Sequence, residues 1–288
     1  MIDNRVFVDK PSNFAIKAGL RDKDEIVSVD GVPVNKWVTD KSKYVSASTD
    51  AARYLYSAKN ILWSYTDSVK RLDVIRQGKP LTLTIHLQSQ YIPTKNKEQD
   101  VTWKKLSSKV GYIDVRSMVE GVDKQFSEAL KSLNNLPYLI VDIRENTGGN
   151  SSVGDFIAQH LIKGERTIWN GTKLSPSADA YKGKVIVLEG PVTASAAESF
   201  LITMKESGDA IVVGTPSAGD TGGNPRLFKT TYGMYYWIPI GHPFKYSPKG
   251  FPLEGKGIKP HYLVPMKVND FLLGKDTQLS YAEELIRK

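Results

Sequence analysis

Residues 185–198 read Val185-Ile186-Val187-Leu188-Glu189-Gly190-Pro191-Val192-Thr193-Ala194-Ser195-Ala196-Ala197-Glu198. An unbroken apolar run closed by Gly-Pro describes a buried strand that ends in a tight turn. Serine and a series of small residues then open a helix that runs to position 206. A strand that is apolar on both faces belongs in a parallel sheet with helices on each side. Working outward, the same alternation continues. A strand at 138–143 is followed by a helix at 153–162, and a strand at 210–213 follows the helix at 195–206. Upstream lie a strand at 110–115 and an amphipathic helix at 119–133. Strand and helix at this pitch mean βαβ crossovers, hence an α/β fold. In such sheets ligands sit at the carboxyl ends of the strands.

The N-terminal third has a different grain. Short strands at 5–8, 25–29, 32–34, 69–75 and 81–87 surround two helices at 11–20 and 48–59. Asp30-Gly31 and Gln77-Gly78-Lys79 read as hairpin turns. A polar run from 89 carries the break between the two parts. The reading is a first domain at 1–92, a linker at 93–109 and a core at 110–288.

Composition narrows the chemistry. The chain has 288 residues, 40% of them apolar and 24% charged, as in a folded globular protein. No apolar window is long enough for a membrane span, and no basic segment followed by an apolar stretch opens the chain. Cysteine is absent, which excludes disulfides, thiol nucleophiles and Cys-ligated zinc. The four histidines, at 86, 160, 242 and 261, have no metal-ligand spacing, so no metal or cofactor is expected. The net charge of +8 is spread along the chain with acidic residues interleaved. A nucleic-acid face needs clustered charge, so no nucleic-acid partner is expected.

Two strand ends carry unusual sequence. After the strand at 138–143 comes Asp142-Ile143-Arg144-Glu145-Asn146-Thr147-Gly148-Gly149-Asn150. Paired glycines let the backbone turn sharply and present N–H groups, which can hold an oxyanion. The segment reads equally as a plain Gly-rich strand-to-helix turn, and Asp142 with Arg144 as a strand-end ion pair. Ser195 begins a helix, where the dipole favours developing negative charge and the Ala196 N–H lacks a helical partner. Ser195-x-x-Glu198 is also a capping box, a structural device. Both readings stand on these residues alone.

Taken together, these segments resemble the S41 family of C-terminal processing and tricorn-like serine peptidases. Asp142 to Gly149 is similar to that family's D-x-R-x-N-x-G-G turn, and Thr193-Ala194-Ser195-Ala196-Ala197-Glu198 to its nucleophile motif. Val213-Gly214-Thr215-Pro216-Ser217-Ala218-Gly219 and the closing Glu254-Gly255-x-Gly257-Ile258-x-Pro260 match in order and spacing. Gly111-Tyr112-Ile113 resembles the opening strand. In the first domain, residues 15–34 resemble the core of a PDZ domain, with Lys23 where glycine is usual. The resemblance implies a ClpP/crotonase-like core of ββα units preceded by a PDZ-like domain. It implies a serine endopeptidase acting on polypeptide, located in the periplasm or cell envelope. It assigns Ser195 as nucleophile, Gly148, Gly149 and Ala196 to the oxyanion hole, and Glu254 to polarising the base.

The base departs from the pattern. The Ser–Lys branch has a lysine 25 residues after the serine, where this chain has Asp220; Lys205 and Lys229 do not fit either. In the tricorn-like branch a histidine comes from a segment before the PDZ domain. The expectation is a PDZ-like domain lacking its first strand and carboxylate-binding loop, and a base supplied from upstream of residue 1. His242, in a loop near the closing segment, is the best resident candidate. The alternative function is a catalytically inactive peptide-binding module of the same fold.

Overall fold

The structure is a computed structural model that describes residues 1–64, 66–87, 99–223, 225–242 and 244–287. The chain divides into two compact units, residues 1–97 with 265–280 and residues 98–264 with 281–288.

In the first unit, β1 (Val6–Phe7), α1 (Asn13–Lys17), β2 (Glu25–Val29), β3 (Val32–Pro33), α2 (Val34–Ser42), α3 (Asp50–Lys59), β4 (Val69–Arg76) and β5 (Lys79–His86) follow one another. The sheet is antiparallel in the order β1-β2-β4-β5, with β3 paired to β2. Asp30-Gly31 (φ 51° and 77°) and Gln77-Gly78 (φ 49° and 77°) take the left-handed pairs that two-residue hairpins require. The expected strand at 32–34 stops early, because Val34, Trp37 and Val38 recur at helical spacing and are buried in α2. Leu20 is buried in the small core as expected, and Phe14 is half-buried against it.

The second unit contains β6 (Val101–Lys105), β7 (Val110–Val115), α4 (Val122–Leu133), β8 (Tyr138–Asp142), α5 (Ser151–Gln159), β9 (Arg166–Thr167), β10 (Lys173–Leu174), β11 (Lys184–Glu189), α6 (Ala196–Ser207), β12 (Ala210–Gly214), β13 (Pro225–Lys229), β14 (Tyr235–Pro239) and β15 (Tyr262–Leu263). Its main sheet has six strands in the order β15-β12-β11-β8-β7-β6, parallel except for the antiparallel edge strand β6. Leu139 to Val141 of β8 and Val187 and Leu188 of β11 have no exposed surface. Helices on both faces account for that, as the unbroken apolar runs foretold. Helix α4 buries Val122, Phe126, Ala129, Leu130 and Leu133, the i, i+4, i+7, i+8, i+11 stripe of a core-facing helix. Each such fully buried large side chain contributes about 1.5–3 kcal/mol.

The boundaries differ from the expectation in two places. Residues 101–105, expected as linker, form β6, which hydrogen-bonds to β7 from Val101↔Val115 to Lys105↔Gly111. No buried alternation marks the strand, because Thr102 to Lys105 are all exposed at the sheet edge. Positions 93–98 of that linker lie outside the described residues. Residues 265–280, expected in the core, belong to the first unit. There α7 (Val268–Leu272) brings Phe271 to 5.3 Å from the Phe7 ring, and the Lys23 ammonium donates to the Leu272 carbonyl. Helix α8 (Thr277–Arg287) ends the described chain.

Strands β8 and β11 are neighbours in register, Asp142 opposite Leu188. Their carboxyl ends therefore stop together, and the loops at 143–150 and 190–195 emerge side by side.

Candidate active site

Hydrogen bonds lock the two loops together. Thr193 Oγ1 donates to the Ile143 carbonyl (2.8 Å) and accepts from the Gly190 N–H (3.1 Å). The Ala194 N–H donates to the Asn146 carbonyl (3.1 Å). Asn146 is fully buried and donates its own amide to the Val115 carbonyl (3.0 Å). The turn is thus tied to β7 as well.

Ser195 sits at φ 55°, ψ −122° as the N-cap of α6. That conformation costs a non-glycine residue of order 1–3 kcal/mol and persists only where the surroundings over-determine it. Here its N–H donates to the Asp220 carbonyl (2.9 Å) and to Glu198 Oε2 (3.1 Å). Glu198 is the hub of the site. It is buried and accepts from Ser217 Oγ (2.6 Å), the Gly219 N–H (2.8 Å) and the Asp220 N–H (3.0 Å) besides that of Ser195. Burial pushes its carboxyl up to about 7 against the downward pull of these donors. The capping-box spacing was legible; the three donors from 217–220 were not, since nothing in the sequence brings that loop to the helix start.

Gly148 lies directly against the serine turn. A Cβ there would stand 2.7 Å from Ser195 Cβ and from the Ala194 carbonyl, and 3.0 Å from the Ala196 nitrogen. Its φ of 98° also belongs to glycine. The Gly148 N–H, however, donates to Asn146 Oδ1 (2.9 Å), so it does not point free into the site. The N–H groups of Gly149 and Ala196 have no hydrogen-bond acceptor among the described residues. Both residues line one cavity of about 380 Å³ together with Ser195.

Of the other candidates, Glu254 stands one residue back from the cavity. Its Oε2 accepts from the Thr221 N–H (2.8 Å) and Oγ1 (2.6 Å), and Thr221 lines the cavity. The Asp220 carboxyl is raised by burial first and by the Glu254 charge second. The histidines separate clearly. His242 lines the cavity with Ser195. His261 Nδ1 accepts the Val212 N–H (2.9 Å), and His160 Nδ1 lies 2.8 Å from the Phe156 carbonyl. His86 is exposed at the end of β5, in the first unit. Lys205 donates to the Lys259 carbonyl and Lys229 lies on an exposed strand. Asp142 and Arg144 do form the strand-end pair, Oδ2 to Nη2 at 2.5 Å, with Tyr112 donating to the same carboxylate. Tyr235, Tyr236 and Trp237 lie in β14, which forms an exposed hairpin with β13. Among the described residues no group of acidic or histidine side chains is arranged to hold a metal ion.

Comparison with known proteins gives a consistent picture. Residues 1–87 match the family described as "Bacteroidetes, Peptidase, S41 family, N-terminal domain", and residues 109–264 match "Peptidase family S41". A carboxyl-terminal-processing protease of a Picosynechococcus species is 26% identical over 97% of this chain and 65% of its own length. A putative tricorn-like protease C-terminal subunit of Sulfurisphaera tokodaii is 25% identical over 99% of this chain and 32% of its own. The chain thus spans less than two thirds of these relatives. The structure of mature CPAF complexed with lactacystin superposes with a TM-score of 0.74, at 15% identity, over 98% of this chain and 80% of that one.

Proposed function

Because this chain belongs to peptidase family S41, we propose that the cavity at Ser195 is the active site of a serine endopeptidase acting on polypeptide. The observation that carries the reading is the pair of unpartnered N–H groups, on Gly149 and Ala196, lining one cavity with a serine held in a strained turn. Ser195 Oγ attacks the scissile carbonyl carbon while a base takes its proton. The carbonyl oxygen becomes an oxyanion, which the Gly149 and Ala196 N–H groups stabilise. The amine leaves with a proton, and water releases the acyl group from the serine. Gly148 serves by its missing side chain rather than by its N–H. Glu198 positions the serine, and Glu254 holds the 220–221 backbone through Thr221.

The base is the remaining part. Glu198 lines the cavity, but its two oxygens already accept four hydrogen bonds. His242 is the other titratable group on that wall, and imidazole is the side chain suited to take a proton near neutrality. A residue outside this sequence is the competing source. The first unit is the candidate peptide-holding, PDZ-like module. An exported location is part of the same proposal, resting on the family alone.

A fluorophosphonate probe tests the nucleophile. Wild-type chain should be labelled on Ser195 and Ser195→Ala should not. Absence of labelling in both favours the inactive peptide-binding reading. His242→Ala separates the two sources of base: if His242 serves, casein cleavage should fall by two or more orders of magnitude.

A further inference from the structure

The wall of the cavity opposite the serine turn is apolar. Trp169, Ile202, Phe244 and Leu253 line it, and Ile202 and Leu253 are themselves buried. Ile202 lies seven residues after Ser195 on α6, two helical turns along the same face. The cavity therefore follows the helix for roughly 10 Å from the nucleophile. The Trp169 ring is held on two sides. Its edge-on partner is Phe244, with centroids 4.7 Å apart at 89°, and its indole N–H donates to Asp155 Oδ1 at 2.9 Å. Its backbone N–H reaches Thr203 Oγ1 on α6 at 3.4 Å. Asp155 is on α5 and does not line the cavity itself. Trp169 is half-buried, and the bond to Asp155 together with the Phe244 contact fixes its ring; without the acceptor one of these two restraints is lost.

We propose that this cavity is the subsite for a large apolar side chain on the residue whose carbonyl Ser195 attacks, and that Asp155 is a positioning residue that shapes it by fixing Trp169. The proposal rests on the serine-peptidase reading for the word "attacks", not for the pocket. Among the described residues the lining holds no lysine or arginine, one carboxylate, Glu198, whose oxygens are occupied, and one imidazole, His242. A charged substrate side chain would lose water there and meet at most the His242 imidazole, so it is disfavoured against an apolar one. A small side chain leaves the aromatic wall unfilled.

The test uses the full chain carrying Ser195→Ala and N-acetyl tripeptide amides that differ at one residue: Phe, Leu, Ala, Asp or Lys. Binding is measured by calorimetry. The Phe and Leu peptides should bind at least about tenfold more tightly than the Ala peptide, the range a filled apolar pocket supplies. The Asp and Lys peptides should bind most weakly. Trp169→Ala should erase the preference. Asp155→Leu should reduce it, and Asp155→Asn, which keeps an acceptor oxygen, should restore it. Circular dichroism and fluorophosphonate labelling of the same variants with Ser195 intact report folding and the nucleophile separately. Equal affinities for all five peptides, no binding at all, or a preference unmoved by Trp169→Ala in a folded chain overturns the subsite. If labelling of Ser195 persists in that case, the peptidase reading survives. If labelling fails while the preference holds, the pocket stands and the nucleophile does not.

Discussion

Glu189 is the least satisfied residue near the site. It ends β11, has no exposed surface, and neither carboxyl oxygen has a hydrogen-bond partner among the described residues. Burial pushes its pKa well above the ordinary 4.5; the charge of Lys205 opposes the shift and that of Glu198 adds to it. Glu189 therefore keeps its proton to higher pH in the fold than in the unfolded chain. Above 4.5 the unfolded chain releases a proton that the folded chain keeps, so stability falls as pH rises through that window. Each pH unit removes up to about 1.4 kcal/mol while the window lasts. Glu189→Gln keeps the shape and removes the titration. Denaturant midpoints from pH 4.5 to 8 should decline less steeply in this variant than in wild type. Parallel curves would show that Glu189 is ionised in the fold after all. The residues around Ser195 have the opposite character, each polar atom of Glu198 and Asn146 being matched, which is how a strained serine is held still.

Two elements depend on a side chain acting as backbone. Strand β12 is paired to β15 only at Val213↔Tyr262 and Gly214↔Leu263. One step earlier the His261 N–H donates to the Val212 carbonyl, and His261 Nδ1 accepts the Val212 N–H in return. The ring must be neutral at Nδ1 to accept. Burial lowers its pKa below the ordinary 6.5, and the Lys205 charge adds to the effect. Below 6.5 the unfolded chain binds a proton that the folded chain resists, so this contribution to stability is present at higher pH and is lost as the pH falls. His261→Gln, whose amide oxygen can accept the same N–H, should melt with a flatter profile between pH 7 and 5 than wild type. An unchanged slope would remove His261 as the cause.

At the scale of the molecule, the closing segment contributes to the first unit. Phe271 packs on Phe7 with the rings tilted at 50°, at the edge strand β1. A pair of this kind is worth about 0.5–1.5 kcal/mol beyond its buried area. Phe271→Ala should therefore speed amide hydrogen exchange in the β1–β2 pair severalfold, while β8 and β11 keep their protection. Uniform acceleration across both units would mean that the contact is not local. The chain leaves the first unit and later returns to it, which a division into successive segments, 1–92, 93–109 and 110–288, does not express.

Periodicity alone determined the parallel sheet. The apolar runs Leu139 to Val141 and Val185 to Leu188, alternating with helices, are those of strands covered on both faces. The motif order determined the family, and the Gly-Gly and Ser195 segments marked the candidate site, because strain and close approach leave glycine and small residues in their wake. Edge strand β6 and helix α2 were not legible, since one face of each meets water and the patterns blur. Nor could the sequence distinguish the two glycines. Gly148 and Gly149 are chemically identical, and only the Asn146 carboxamide, folded beneath them, occupies one N–H and leaves the other open. The same holds for Glu198, His242 and the Trp169 wall. Glu198 meets Ser217, 19 positions on, and Trp169 meets Phe244 much farther along the chain, contacts made by packing that no local spacing records.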